Sequence, residues 1–173
     1  MDLFESISGR RSIRRYTGGD VEERKLTRIM DAGLMAPSAG NIQPWELILV
    51  KGEETKRQLA KDALNQSFIV QAAAVIVVCI DRDRAGDAYG ERGINIYCLQ
   101  DTGAAIQNML LTVHALGLGA CWVGAFDEEA VTETLEIPSP YRPVALIPVG
   151  MPAEKPLAVD KRQLGEILHR ERF

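Results

Sequence analysis

The sequence predicts an architecture in which helices cover both sides of a central mixed sheet. Two observations favour it: predicted strands alternate with predicted helices, and helices also open the chain. A third is the continuous apolar run from Val75 to Ile80, which is rich in β-branched residues and typical of a strand covered on both faces. No internal repeat or linker divides the chain, so we expect one domain over residues 1–173.

The first elements are predicted from helical spacing and from capping residues. A short helix is expected from Asp2 to Gly9, with apolar residues on one face and the glycine as its stop. Asp20 is a candidate N-cap for a second helix, because acidic residues follow it, and Pro37 ends that helix. The passage between Ala36 and Trp45 is turn-rich.

The middle of the chain alternates between strands and helices. Two strands are expected at Glu46 to Val50 and at Val75 to Ile80, with a charged amphipathic helix from Glu53 to Leu64 between them. The segment from Asp81 to Gly93 is polar and contains glycine, so it is interpreted as a surface connection and a possible lid.

The longest predicted helix runs from Ile94 to Leu116. Its expected buried side consists of Leu99, Ile106, Met109, Leu110 and Val113. The remaining predictions are a buried strand from Ala120 to Val123, a helix capped by Asp127 that ends at Leu135, a last strand from Val144 to Val149, and a weak helix in the tail.

Composition excludes several classes of protein. The chain is 46% hydrophobic and 25% charged, as soluble globular proteins are, and its net charge of −4 gives it no general attraction to nucleic acid. The start of the chain lacks the apolar core of a secretory signal, and no apolar run is long enough to cross a bilayer. We therefore expect a cytoplasmic protein that binds neither nucleic acid nor membrane.

The cysteines and histidines give no sign of a metal site. Cys79, Cys98 and Cys121 lie far apart and form no CxxC pair, and the chain has only two histidines. The expected state of the cysteines is buried and reduced.

The stretch from Arg10 to Tyr16, RRSIRRY, concentrates four arginines in an acidic chain. Guanidinium groups match two phosphate oxygens at once, so one interpretation is a cofactor phosphate site. The stretch could equally be a solvated basic loop. A nucleic-acid contact is a third alternative, although no series of stacking aromatics accompanies the arginines.

Side-chain catalysis has little support in the sequence. The glycine-rich dinucleotide fingerprint, the P-loop and the G-x-S-x-G elbow are all absent, so any reaction is expected to depend on a cofactor. Ser38, Asn41 and Gln43 form a cluster of neutral hydrogen-bonding groups held between prolines and a glycine. They suit the polar edge of a heterocycle, or they belong to an ordinary turn whose amides satisfy local backbone groups.

Four motifs in order, RRSIRRY, APSAGNIQPW, LGLGACWVGAF and PVALIPVGMP, resemble the FMN-dependent nitroreductase family over nearly the whole chain. The resemblance implies an α+β fold: a three-layer α/β/α sandwich with a central, largely antiparallel sheet. It also implies a homodimer with two FMN molecules in the subunit interface.

The resemblance assigns cofactor-binding roles to specific residues. Arg10, Arg11 and Ser12 would bind the phosphate and ribityl end of FMN, and Arg14 would lie near the flavin ring and tune its reduction. The partner subunit would contribute a segment to the same FMN, and further contacts would complete the site. These further residues are Pro37, Ser38, Ala39, Asn41 and Gln43 from the partner, and Gln66, Val123, Gly124, Lys161 and Arg162.

The implied activity is hydride transfer from NADH or NADPH through flavin N5 to a nitroaromatic, quinone or similar acceptor by a ping-pong mechanism. One alternative is a flavin-binding protein without turnover. Another is a specialised relative such as a dehalogenase, an enoyl reductase or a flavin-fragmenting enzyme.

Overall fold

The structure, a computed structural model, describes residues 2–173 and contains helices, strands and short irregular turns. The helices are α1 (Leu3–Gly9), α2 (Glu23–Leu34), α3 (Glu53–Asp62), α4 (Phe68–Gln71), α5 (Arg82–Arg92), α6 (Cys98–Ala115) and α7 (Glu128–Thr134). The strands are β1 (Trp45–Val50), β2 (Ala74–Asp81), β3 (Gly119–Ala120) and β4 (Tyr141–Gly150). A π-helical turn, Gly93–Tyr97, joins α5 to α6, and 3₁₀ turns occur at Ala39–Asn41 and Leu164–Glu166.

The four strands form one sheet in the order β1-β2-β4-β3, and every neighbouring pair is antiparallel. The sheet is therefore antiparallel, as the family resemblance implies, and the mixed sheet expected from the element pattern alone is wrong. Parallel pairing occurs only as an isolated bridge between Ser12 and Ala120, within residues 2–173.

Strand β2 carries the core on both of its faces, as its apolar run predicts. Ala74, Ile76 and Val78 pack with residues of α2 and α6 on one side of the sheet. Val75 and Val77 pack with residues of α3 and α7 on the other side. This alternation confirms the three-layer α/β/α arrangement, because successive side chains of a strand point to opposite faces.

Two local expectations are wrong, and a third is incomplete. The segment predicted as a surface connection is largely exposed but also forms helix α5, which begins where the Asp81 carboxylate accepts the N–H of Arg84. Helix α2 begins at Glu23 without a side-chain cap, and the Asp20 carboxylate instead accepts the N–H of the adjacent Val21. Leu99 is 43% exposed, because it lies on the outer face of α6.

Of the two elements predicted after α6, the strand is shorter than expected and the helix is confirmed. The strand expected at Ala120 to Val123 is reduced to β3, after which Val123 makes only an isolated bridge to Leu146. The helix capped by Asp127 is confirmed, since its carboxylate accepts the N–H groups of Glu129 and Ala130.

No helix within residues 2–173 is long and apolar enough to cross a membrane.

Candidate cofactor site

The arginine stretch lies along the β3 edge of the sheet. The N–H of Ile13 donates to the carbonyl of Ala120 at 2.9 Å, and Ser12 pairs with Ala120 in parallel register. The Ile13 side chain is buried against Gly119. A fixed backbone therefore presents the neighbouring side chains of Ser12 and Arg14.

Tyr16 anchors the other end of the stretch. Its buried hydroxyl lies 2.9 Å from the Ile13 carbonyl and 3.1 Å from the Pro148 carbonyl, and burial raises the pKa of Tyr16 well above its usual value. The segment that follows β4 runs alongside, since the N–H of Ala153 donates to the Arg15 carbonyl at 2.9 Å. The stretch is thus held between β3 and the chain that leaves β4.

The arginines of the stretch have different surroundings. Arg10, Arg14 and Arg15 form no ion pair within residues 2–173, and the Glu154 carboxylate accepts the backbone N–H of Arg14 rather than its guanidinium. Arg11 instead donates from Nη1 to the carbonyls of Ser8, at 2.7 Å, and Arg10, at 2.8 Å. Arg11 therefore caps the end of α1, and its role on a phosphate remains a prediction.

A cavity of about 350 Å³ lies beside the stretch. Cationic or titratable residues and apolar side chains line it together: Arg10, Arg11, His114, Glu154 and Lys155 with Ile13, Leu110, Val113 and Leu118. Burial lowers the pKa of His114, and the charges of Arg10 and Arg11 lower it further. Arg10 and Arg11 are the predicted cofactor residues that line this cavity; Ser12 and Arg14 do not.

The same sheet edge carries two more predicted site elements. Val123 exchanges backbone hydrogen bonds with Leu146 at 2.9 and 3.0 Å, which fixes the exposed Gly124 that follows. Gln66 donates from Nε2 to the Ala125 carbonyl at 2.8 Å. The structure therefore brings Gln66 and the Val123–Gly124 backbone together.

Cys121 is a member of this neighbourhood that sequence reasoning did not assign to the site. Its thiol is buried, and burial raises its pKa, whereas the charges of Arg14 and Arg10 lower it. Glu154 was also missed. Nothing local in the sequence links either residue to the arginine stretch, because the connection runs through the pairing of separate chain segments.

The amide-rich turn from Pro37 to Gln43 precedes β1, at the opposite edge of the sheet. Ser38 Oγ accepts the N–H of Gln43 at 3.0 Å, and Gln43 Nε2 lies 3.4 Å from both the carbonyl and the Oδ1 of Asn41. Gly40, Asn41 and Gln43 all have positive φ. Some of the polar groups are therefore used within the turn, as the local-turn alternative predicts.

The turn and the arginine stretch are far apart within one chain. Strands β1 and β3 are separated by three strand spacings, or roughly 14 Å across the sheet. The two groups are also separated along the strands. Trp45 at the start of β1 pairs with Ile80 of β2, whereas Ala120 of β3 pairs with Val149 of β4, which in turn pairs with Ala74 of β2. Ile80 and Ala74 are six residues apart in β2, or about 20 Å. One chain alone does not bring these two groups of predicted site residues together.

The C-terminal basic pair lies on an exposed tail. Arg162 donates from Nη2 to the Glu166 carbonyl at 2.9 Å, and Lys161 is exposed beside it. Neither residue contacts the arginine stretch through a hydrogen bond or ion pair within residues 2–173. The expectation that Lys161 and Arg162 contact the phosphate of a cofactor stays a prediction.

Comparison with known proteins places this arrangement in a family. The model of the Nitroreductase family matches residues 7–75 and 61–151, which include both the arginine stretch and β4. The chain belongs to the nitroreductase family. The family resemblance expected from the four motifs is thereby confirmed.

Two curated proteins of similar sequence illustrate the likeness. A protein of Methanothermobacter thermautotrophicus named NADH dehydrogenase/NAD(P)H nitroreductase is 34% identical over 160 residues, covering 90% of this chain and 80% of its own. The NADH dehydrogenase of Thermus thermophilus is 32% identical over 182 residues, covering 90% and 89% of the two chains.

A solved structure supports the fold. The NADPH:FMN oxidoreductase of Vibrio harveyi, complexed with NAD⁺, superposes with a TM-score of 0.90 at 26% identity, covering 98% of this chain and 77% of its own. The nitroreductase fold expected for this chain is confirmed by that agreement.

Proposed function

We propose that this nitroreductase-family chain is an FMN-dependent oxidoreductase that takes hydride from NADH or NADPH. It passes the electrons to a nitroaromatic, quinone or similar acceptor in a ping-pong cycle. The observation that carries this proposal is that the arginine stretch, whose arginines have no ion pair within residues 2–173, is fixed on the same sheet edge as the Val123–Gly124 backbone. Relatives named as nitroreductases and as an NADPH:FMN oxidoreductase support the same activity.

The residues on this edge suit FMN. Arg10 and Arg14 offer guanidinium groups with no carboxylate partner within residues 2–173, and such groups suit a phosphate and the negative charge of a reduced flavin ring. Bound FMN would supply hydride chemistry at N5. Arg10 and Ser12 would hold its phosphate and ribityl end, and the fixed cation of Arg14 would favour negative charge on the ring.

We also infer a homodimer in which each flavin contacts both chains. The turn from Pro37 to Gln43 lies about 20 Å along and roughly 14 Å across the sheet from the arginine stretch, so a second copy is needed to supply it. Exposed apolar residues on α1 offer a surface for that copy: Leu3 is 62%, Phe4 78% and Ile7 51% exposed.

The first test is the flavin content of the purified protein. Replacing Arg10 and Arg14 together with alanine removes the two unpaired cations that have an assigned role, so we expect a colourless protein with at least a tenfold weaker FMN affinity, about 1.4 kcal/mol. Arg15→Ala is the matched control, because Arg15 is an exposed arginine of the same stretch with no assigned role. Unchanged FMN content in the double variant would contradict the assignment.

The second test separates an enzyme from a flavin-holding protein. Anaerobic addition of NADH or NADPH to the yellow protein should bleach the flavin absorbance rapidly if the chain is an oxidoreductase. A spectrum that stays yellow would favour a holder without turnover. Reoxidation of the bleached protein by nitroaromatics, quinones, haloaromatics or enoyl compounds would then identify the acceptor class.

A further inference from the structure

The turn that would meet the partner's flavin is held by a single buried carboxylate. The backbone N–H of Ala39 donates to Asp101 Oδ1 at 3.1 Å, across 62 positions of sequence. Asp101 lies in the first turn of α6, so this bond ties the turn to the longest helix of the molecule.

The turn needs such a restraint because its backbone is strained. Asn41 and Gln43 are non-glycine residues with φ of 57° and 52°, a region that costs roughly 1 kcal/mol or more per residue. Gly40 has the same sign of φ, and the hydroxyl of Tyr89 in α5 closes over it so tightly that a Cβ there would overlap it. Asp101 and Tyr89 thus bracket the turn from two helices.

Burying the Asp101 carboxylate costs free energy, and it accepts only one amide hydrogen bond in return. The residue is only 7% exposed, and its Oδ2 has no hydrogen-bond partner within residues 2–173. A buried carboxylate with a single donor loses much of its hydration without replacement, and burial accordingly raises the pKa of Asp101.

Asp62 shows that a half-satisfied carboxylate is not a general property of this fold. Asp62 is also 7% exposed, but both of its oxygens are bonded, Oδ1 to Gln58 at 2.8 Å and Oδ2 to Thr134 at 2.7 Å. The arrangement at Asp101 therefore favours a role in placing the turn over a role in stability.

We propose that Asp101 is a positioning residue that fixes the Pro37–Gln43 turn in the conformation that contacts the flavin of the partner subunit. This inference rests on the proposed function for the effect of Asp101 on flavin binding. The hydrogen bond between Ala39 and Asp101 is present in the chain without flavin. Asp101 touches neither flavin nor substrate in this scheme and acts through the Ala39 amide.

Asp101→Asn and Asp101→Leu form a matched pair for the test. Both are neutral and similar in size, but only asparagine keeps an oxygen that can accept the Ala39 N–H. Amide hydrogen exchange of the apo protein should show Ala39 protected in the wild type and in Asp101→Asn, and exchanging at least about tenfold faster in Asp101→Leu. Equal exchange in the two variants would overturn the proposal.

FMN binding gives the second readout. Asp101→Leu should weaken FMN affinity about tenfold, Asp101→Asn should restore it to within about threefold of wild type, and the midpoint potential of the bound flavin should stay unchanged in both. A shifted potential would mean direct contact with the flavin and would refute a positioning role. The control Asp62→Asn should lower thermal stability without a selective change in FMN affinity.

The two proposals fail in distinguishable ways. A wild-type protein that binds no FMN would refute the proposed function, while the Ala39 exchange rates would still decide whether Asp101 positions the turn. A wild type that binds FMN normally, together with an Asp101→Leu variant of equal affinity, would refute the positioning role alone.

Discussion

Replacing Gly119 with alanine should disturb the arginine stretch through packing alone. An ideal Cβ on Gly119 would lie 2.9 Å from each of Cβ, Cγ1 and Cγ2 of Ile13, whereas carbon atoms pack best at about 3.5–4.0 Å. Ile13 cannot easily withdraw, because it is β-branched, 8% exposed and bonded through its N–H to Ala120.

The size of the effect follows from this overlap. Overpacking of a buried site costs about 1–3 kcal/mol, and the gain from replacing glycine inside a strand, about 0.5–1 kcal/mol, offsets part of it. The middle values of these two ranges leave a net loss, so we expect Gly119→Ala to lower the free energy of unfolding by about 1 kcal/mol. It should also weaken FMN affinity, because Ile13 lies between Ser12 and Arg14.

Urea unfolding of the apo protein measures the stability change, and flavin fluorescence measures the affinity. Gly165→Ala is a suitable control, since no atom lies within 4 Å of its ideal Cβ. Combining Gly119→Ala with Ile13→Ala should recover part of the loss, with a coupling of about 0.5–3 kcal/mol. A Gly119→Ala protein as stable as wild type, with unchanged FMN affinity, would refute the packing argument.

Two further predictions concern buried or partly buried basic groups. His114 has a pKa lowered below its usual 6.5 by burial and by two arginines of the stretch, so the unfolded chain binds more protons and stability falls as the pH drops below about 6.5. Urea midpoints at pH 5 and 7.5 should therefore differ more for wild type than for His114→Asn; an equal difference would contradict this linkage. Lys56 is 6% exposed and donates to the Ala72 carbonyl at 2.6 Å. Lys56→Met should cost about 1–3 kcal/mol by leaving that carbonyl without a donor, and an unaltered urea midpoint would count against it.

Much of the fold was predictable because its signals are local. The apolar run of β2 predicts a strand buried on both faces, and Asp127 before acidic residues predicts the start of α7. Helix α5 was missed because Gly86 and Gly90 interrupt a polar segment. Its close packing is visible only in three dimensions, where a Cβ on Gly93 would overlap the Ala85 carbonyl.

The candidate site was predictable by motif and not by geometry. The family resemblance named Gln66 and Gly124, yet only the bond from Gln66 to the Ala125 carbonyl shows how the chain brings them together. Asp101 gave no sequence signal, because its bond to Ala39 joins two segments that follow unrelated local patterns. The predicted contacts of Lys161 and Arg162 depend on where an exposed tail goes, which local residue patterns do not specify.

The placement of the amide turn and the arginine stretch at opposite edges of the sheet has a consequence for how the protein behaves on dilution. Under the proposed dimer, a chain that loses its partner also loses the contacts that the partner's turn makes to the flavin. Flavin occupancy would then fall as the protein concentration drops below the dissociation constant of the dimer, and added FMN would drive the chains back together. Cofactor loading and subunit association would form one equilibrium, so an affinity measured at a single protein concentration would describe neither process alone.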